Sequence, residues 1–206
     1  MHLEYCRAAF LGIVVTALAV PPAARAEDPA GLTAAEAMDA VMWGEDPIVG
    51  GFALVDHTGR PRTEADFRGK VVMVYFGFTW CPDICPTDLM AIAAALDELG
   101  EEAAAEVQPL FITLDPARDT EGLAAYVEAF HPRILGLTGE DAAIRNAANA
   151  YKVYYRKVAL PGADDYTIDH TAFTYLYDQT GAYLGFLPPG TPAGLVTGVL
   201  RPLLAD

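Results

Sequence analysis

Short apolar runs along the chain alternate with stretches whose apolar residues recur at helical spacing, and this pattern predicts an α/β domain. The central run is Val71–Phe76, where continuous apolar, β-branched and aromatic residues indicate a strand buried on both faces. A helix is predicted directly after it, at Pro86–Leu99. Its apolar positions share one face and are Leu89, Ile92, Ala93, Leu96 and Leu99.

The same pattern predicts a β-hairpin before the central strand and further elements after it. The hairpin joins Gly50–Asp56 to Arg60–Thr63 through a His-Thr-Gly turn. Further strands are expected at Glu106–Asp115, Ile134–Leu137, Val153–Val158, Ala172–Tyr177 and Ala182–Leu187. Further helices are expected from Asp119 or Thr120 to Phe130, at Ala142–Ala150 and at Pro192–Leu204. The order predicts a mixed sheet flanked by helices, with an N-terminal β-hairpin.

The first 26 residues differ from the rest and predict a secretory signal peptide. A positive charge at Arg7 precedes the apolar run Ala8–Val20, and Ala24–Ala26 has the small-x-small pattern of a cleavage site. The run is shorter than the ~20 residues of a spanning helix, although an uncleaved N-terminal anchor is the alternative. We therefore divide the chain into a leader at 1–26, an extension at 27–47 and a domain at 48–206. The expected location is periplasmic, with tethering to the inner membrane as the alternative.

The net charge of the chain disfavours two classes of binding partner. Its 206 residues include 28 acidic and 13 basic residues, for a formal net charge of −15. Such a charge argues against nucleic acid and against an anionic membrane surface as partners. The sequence has no heptad pattern, so a monomer is expected.

Two cysteines, Cys81 and Cys85, follow the central strand where the next helix begins. A disulfide between them would close too short a loop to stabilise the fold, so a chemical role is favoured. Side chains four apart on a helix lie on one face, and a helix N-terminus favours the thiolate. Two thiolates suit Cu(I) or Zn²⁺, and a redox pair suits thiol–disulfide exchange. The spacing alone leaves both chemistries open.

A third donor for a metal would have to come from a distant histidine. His57 and His131 are predicted to be exposed surface residues, whereas His170 precedes a strand whose start can lie at the same sheet edge as the cysteines. One imidazole with two thiolates is a trigonal donor set that copper accepts. Asp83 is expected to cap the turn, because a carboxylate is a hard donor. Asp169 is either a partner that orients His170 or an ordinary loop residue.

The segment Phe76–Thr87 (FGFTWCPDICPT) resembles the signature of the Sco/SenC family of copper-handling proteins. The similarity extends in order through Phe52–Gly69, Leu114–Thr120, Gly136–Glu140, Tyr151–Tyr155 and the pair Asp169-His170. Trp80 departs from the pattern, because many members carry histidine there. Many relatives also have an N-terminal membrane helix, whereas this leader has the features of a cleavable one.

The resemblance implies a thioredoxin-like fold and copper ligation by Cys81, Cys85 and His170. It also implies a chaperone that passes copper to the CuA site in subunit II of cytochrome c oxidase. The alternative is a thiol–disulfide oxidoreductase in which Cys81 and Cys85 form a reversible disulfide and reduce the CuA cysteines or other periplasmic disulfides. Other copper chaperones or thiol reductants are further expected partners. Whether the protein is an enzyme is therefore left open, with a metallochaperone as the primary prediction.

A peroxiredoxin-like peroxidase is a third interpretation, suggested by Thr79 shortly before Cys81. The peroxidatic pattern has two residues between its threonine and cysteine and begins with proline. In this chain Trp80 alone separates Thr79 from Cys81. The spacing therefore argues against a peroxidase.

Overall fold

A computed structural model describes residue 48 and residues 50–204. The leader at 1–26 and the extension at 27–47 lie outside these residues, so the domain boundaries remain predictions. Among the helices of the described part, none combines the length and apolar character needed to cross a membrane.

Seven strands form one mixed sheet at the centre of the described domain, and two more form a separate hairpin. The strands are β1 Ala53–Asp56, β2 Pro61–Thr63, β3 Val71–Gly77, β4 Val107–Thr113, β5 Leu135–Thr138, β6 Tyr155–Ala159, β7 Tyr166–His170, β8 Thr174–Tyr177 and β9 Tyr183–Leu187. The main sheet has the order β2-β1-β5-β4-β3-β8-β9, and β6 pairs with β7. The predicted class, a mixed sheet flanked by helices with an N-terminal β-hairpin, is confirmed.

Strand β3 is central because its sequence can be buried on both sides. All seven of its residues are buried. It pairs parallel with β4 and antiparallel with β8. Parallel neighbours place the carboxyl ends of β3 and β4 at one edge of the sheet, where the cysteine segment follows β3.

Six α-helices and one 3-10 turn at Glu64–Phe67 complete the described domain. The helices are α1 Ile84–Leu99, α2 Glu101–Ala105, α3 Pro116–Asp119, α4 Leu123–Glu128, α5 Asp141–Ala150 and α6 Ala193–Leu203. The five predicted apolar positions of α1 are all buried. Helix α1 also packs beside α6.

Apart from shifts of a few residues at the ends of other strands and helices, the structure differs from the sequence prediction in four places. Helix α1 begins at Ile84 rather than Pro86, because a proline in the first turn lacks only a donor that would have no helical partner there. The single helix expected from about residue 119 to Phe130 is the pair α3 and α4, which Gly122 separates. The short helix α2 is additional. Strand β7 is also additional, and His170, which was predicted only to precede a strand, is its last residue.

Candidate metal centre

The structure brings Cys81, Cys85 and His170 together at the carboxyl end of β3. Cys81 lies in the turn between β3 and α1, Cys85 is the second residue of α1, and His170 is the last residue of β7. One sulfur from each cysteine and a ring nitrogen of the histidine all lie within 4.8 Å of one another. Residues 85 positions apart in the chain thus form one cluster.

The thiol of Cys85 is accommodated because β3 ends in glycine. A Cβ atom at Gly77 would lie 2.9 Å from Cys85 Sγ and 2.9 Å from the ring of Phe111, closer than real Cβ contacts. Cys85 has an exposed fraction of 0%, whereas Cys81 is only partly buried. One thiol is therefore enclosed by the domain, and the other borders solvent.

A buried carboxylate fixes the segment that leads to Cys81. Asp119 at the end of α3 accepts hydrogen bonds from the backbone N–H of Thr79 at 3.0 Å and from its hydroxyl at 2.7 Å. Thr113 donates a further hydrogen bond to the same carboxylate. Asp119 was not a sequence-predicted site residue. Its signal was an acidic residue shortly after a buried strand, at the sheet edge that carries the cysteines.

The ring of His170 is held with one nitrogen toward the thiols. Its Nε2 lies 3.6 Å from Cys85 Sγ, and its Nδ1 lies 3.1 Å from the carbonyl oxygen of Thr171. A proton on Nδ1 donated to that carbonyl leaves the Nε2 lone pair free for a metal. The Asp169 carboxylate instead accepts a hydrogen bond from Arg156 at 2.8 Å. The Thr171 carbonyl therefore has the orienting role that the sequence allowed for Asp169.

Cys81, rather than Asp83, provides the side-chain cap of α1. Asp83 occupies the N-cap position, but its side chain makes no capping hydrogen bond in the structure, contrary to the prediction. The backbone N–H of Cys85 instead donates to Cys81 Sγ at 3.4 Å. A thiolate at this place accepts a helical N–H that would otherwise lack a partner.

The two thiols have opposite acidities. The pKa of Cys81 falls to about 4, chiefly because the Cys85 thiol donates a hydrogen bond to it, with further support from His170. The pKa of Cys85 is raised, because donating to Cys81 favours its protonated form and burial disfavours its charge. At neutral pH the pair therefore holds one thiolate and one thiol.

The other two described histidines lie outside this cluster and have their own partners. His57 Nδ1 accepts a hydrogen bond from the backbone N–H of Gly136 at 3.0 Å. His131 Nδ1 accepts one from the backbone N–H of Arg133 at 3.1 Å. Both side chains are partly buried, so the prediction that they are exposed is wrong. Their hydrogen bonds indicate structural roles.

The chemistry of the three donors fits copper better than zinc. Two sulfurs and one imidazole nitrogen are soft to intermediate donors and match a two- or three-coordinate copper ion. A structural zinc ion takes four ligands, and the cluster provides three. Trp80, whose side chain is 66% exposed, adjoins Cys81 on the solvent side. A donor or acceptor of the metal can therefore approach the cluster from this side.

Comparison with protein families gives one match over most of the chain. A family model described as SCO1/SenC matches residues 41–205. The bovine protein named "Protein SCO2 homolog, mitochondrial" is 44% identical over 154 residues, covering 74% of this chain and 58% of its own length. The chain thus spans little more than half of that curated relative.

Two solved structures resemble the described domain over most of their length. The copper-bound Arabidopsis thaliana ScoI has a TM-score of 0.69 and 39% identity, covering 75% of this chain and 97% of its own. The copper-bound Bradyrhizobium japonicum ScoI has a TM-score of 0.70 and 35% identity, covering 76% and 99%. The thioredoxin-like fold expected from the sequence is confirmed by these similarities.

Proposed function

The chain belongs to the SCO1/SenC family, and from this premise we propose that it is a copper chaperone that binds one copper ion through Cys81, Cys85 and His170. The observation that carries the proposal is the convergence of these three donors within 4.8 Å at the edge of the sheet. Two relatives of similar fold are copper-bound in their solved structures, which supports the same cargo here.

The recipient that we propose is the CuA site in subunit II of cytochrome c oxidase. Transfer would proceed by ligand exchange, in which donors of the recipient replace those of the chaperone one at a time. Partly exposed Cys81 and the exposed Trp80 beside it provide the side on which this exchange can occur. Family membership supports this recipient, and the exposure of Cys81 supports the route.

We further propose that the protein works in the periplasm, after export or while tethered to the inner membrane. The support is the composition of residues 1–26, with its charge, short apolar run and small residues. The bovine relative is named as mitochondrial, so the support for a periplasmic location comes from residues 1–26 of this chain and not from that relative. In an oxidising compartment the two thiols need a reductant before they can bind Cu(I).

Removal of the histidine tests the copper site. We expect reduced wild-type protein to develop thiolate-to-copper charge-transfer absorption with Cu(II), and His170→Ala to abolish or severely weaken it. Cu(I) should still bind to the variant in an anaerobic titration, because two thiolates satisfy this ion. His131→Ala is the matched control, since it removes an imidazole outside the cluster. An unchanged spectrum in His170→Ala would refute the assignment.

A second candidate function is thiol–disulfide exchange, favoured by the unequal acidity of the two thiols. The Cys81 thiolate would attack a substrate disulfide, form a mixed disulfide and release one substrate thiolate. Cys85, once deprotonated, would then displace the second substrate thiol and leave a Cys81–Cys85 disulfide, so that two electrons pass to the substrate. This reaction needs no third metal donor, and His170 contributes to it only as one of the groups that lower the pKa of Cys81. Full reduction of a test disulfide by metal-free His170→Ala, with unchanged copper absorption, would favour this function over the chaperone.

A further inference from the structure

His170 is carried by the hairpin of β6 and β7, which is not part of the main sheet. Among the strands that the structure describes, β6 and β7 pair only with each other, from Tyr155 opposite His170 to Ala159 opposite Tyr166. A two-stranded hairpin of this kind is at best marginally stable by itself. Contacts elsewhere must therefore hold it where Nε2 of His170 faces the thiols.

Besides the packing of Ile168 in the core, polar contacts from both strands converge on one carboxylate, Asp115, immediately before α3. Asp115 has an exposed fraction of 0%. Its oxygens accept hydrogen bonds from the hydroxyl of Tyr166 at 2.9 and 3.0 Å, and Lys157 Nζ lies 3.1 Å away. Arg118, three residues on, also donates to it. Tyr166 and Lys157 belong to the two strands of the hairpin, so one carboxylate binds both.

Cations also enclose the ring of Tyr166. The guanidinium of Arg118 lies 3.7 Å from the ring centroid, and the ammonium of Lys157 lies 4.4 Å from it. Arg118 donates as well to the carboxylate of Asp165 at 2.9 Å and to the carbonyl of Tyr166. These contacts fix the start of β7, and His170 stands at its other end.

At the far end of α3, Asp119 binds the other half of the site. It is also 0% exposed, and its partners are Thr79, two residues before Cys81, and Thr113 on β4. Two buried carboxylates four residues apart thus contact the two halves of the metal centre, one each. Buried carboxylates cost free energy unless they are fully paired, and when paired they specify one arrangement of their partners.

We propose that Asp115 and Asp119 are positioning residues of the metal centre. Through Tyr166 and Lys157, Asp115 sets the place of the hairpin that carries His170. Through Thr79, Asp119 sets the segment that carries Cys81. The short helix α3 thereby fixes the distance between imidazole and thiols before any metal arrives. This inference rests on the proposed function, because it assumes that the cluster binds copper.

The test of Asp115 is a selective change in metal affinity. We expect Asp115→Asn to weaken Cu(II) binding about ten- to a hundredfold, as removal of an outer partner of a metal ligand commonly does. Cu(I) affinity should stay within about twofold, since the thiol pair is untouched. Arg156→Gln is the matched control, because it breaks the exposed ion pair with Asp169 in the same hairpin. It should change neither affinity.

A double-mutant cycle separates positioning from general damage. If Asp115 acts through His170, then Asp115→Asn adds no further loss of Cu(II) affinity to His170→Ala. If the two losses add, the proposal is overturned. If Asp115→Asn does not fold, Tyr166→Phe replaces it, because this variant removes the hydroxyl that donates to Asp115 and keeps the ring. It should give a smaller loss of Cu(II) affinity and leave Cu(I) affinity unchanged.

Asp119 should give the complementary pattern. Asp119→Asn moves the segment before Cys81, so we expect it to weaken Cu(I) and Cu(II) together, and to do so equally in His170→Ala. A loss confined to Cu(II) would contradict the assignment of Asp119 to the thiol half.

Amide hydrogen exchange distinguishes failure of this inference from failure of the proposed function. Asp115→Asn should speed exchange across β6 and β7, and Arg156→Gln should not. A protein that shows these exchange rates but no copper absorption even as wild type would refute copper binding and leave the hairpin contact standing. Unchanged exchange in Asp115→Asn would overturn the role of Asp115 whatever the metal data.

Discussion

At the scale of single residues, the site depends on the inequality of its two thiols. Cys85 is enclosed beneath β3, where only a glycine leaves room for its sulfur, and it donates to Cys81. Cys81 receives that hydrogen bond and a backbone N–H of α1. The spacing of the cysteines predicted a pair at a helix start. It did not show which of them would be ionised, because this follows from burial.

The pH dependence of alkylation should report this inequality. Because the pKa of Cys81 is lowered from its ordinary 9.0 to about 4, the reaction of Cys81 with iodoacetamide should be nearly independent of pH between about 5 and 8, and slow as pH falls through about 4. Cys85 should remain unmodified. Mass spectrometry of the modified peptides provides the measurement. In Cys85→Ala the donor to Cys81 is lost, so the rate should regain a rise with pH. A tenfold rise per pH unit in wild type would contradict the lowered pKa.

At the scale of elements, the sequence predicted those whose own periodicity forms them. The apolar patterns of β3 and α1 predicted both elements, and they also placed the two cysteines where the helix begins. Strand β7 was missed because its segment follows a polar loop, and its contacts with Asp115 come from a residue 51 positions away. The position of His170 before a strand made it a possible third donor, and the family resemblance made it the expected one. Asp115 and Asp119 were missed because their partners are distant in sequence.

The hairpin of β1 and β2 should depend on the charge of Asp56. Burial alone would raise the pKa of this carboxyl, but hydrogen bonds from Thr58, Arg60 and Arg62 outweigh it and hold the pKa well below 3.8. The ionised form thus adds stability above about pH 4, and this stability is lost as pH falls below that value. We expect Asp56→Ala to lower the free energy of unfolding by about 2–3 kcal/mol at neutral pH.

Urea unfolding at about pH 7 and about pH 3 measures this effect. The difference between wild type and Asp56→Ala should shrink at the lower pH. Asp178→Ala is the control, because Asp178 accepts the same pattern of turn hydrogen bonds from Thr180 and Ala182 at an exposed turn. Asp178→Ala should lower the free energy of unfolding by less than Asp56→Ala does. Equal losses in the two variants would show that burial of Asp56 is irrelevant.

At the scale of the whole molecule, the described domain has a core that does not depend on the metal centre. Buried aromatic residues on β3, β8 and the end of α5 contact one another, with Phe76 and Tyr151 at 5.2 Å and Tyr151 and Tyr175 at 5.6 Å between ring centroids. Small metal-dependent domains lack such a core and unfold without their ion. Here we expect the metal-free protein to be folded, so that a bound metal adds to an existing stability.

Thermal unfolding should show this addition. A ligand that binds only the folded state at a hundredfold excess over its dissociation constant adds about 2.7 kcal/mol. For a domain of this size we expect Cu(I) to raise Tm by roughly 5–11 °C, with one cooperative transition before and after. Anaerobic calorimetry with and without Cu(I) is the measurement. Cys81→Ser should fold as wild type does and show little or no rise, and an equal rise in that variant would place the copper elsewhere.

The unequal exposure of Cys81 and Cys85 also determines an order of events in time. At the proposed site, a copper ion arriving from solvent would meet Cys81 first, because Cys85 has no exposed surface. On departure, an incoming ligand would replace Cys81 while Cys85 still held the ion. Arrival and departure would then use the same side and reverse the same sequence of bonds, with the enclosed thiol as the last protein ligand to release the ion.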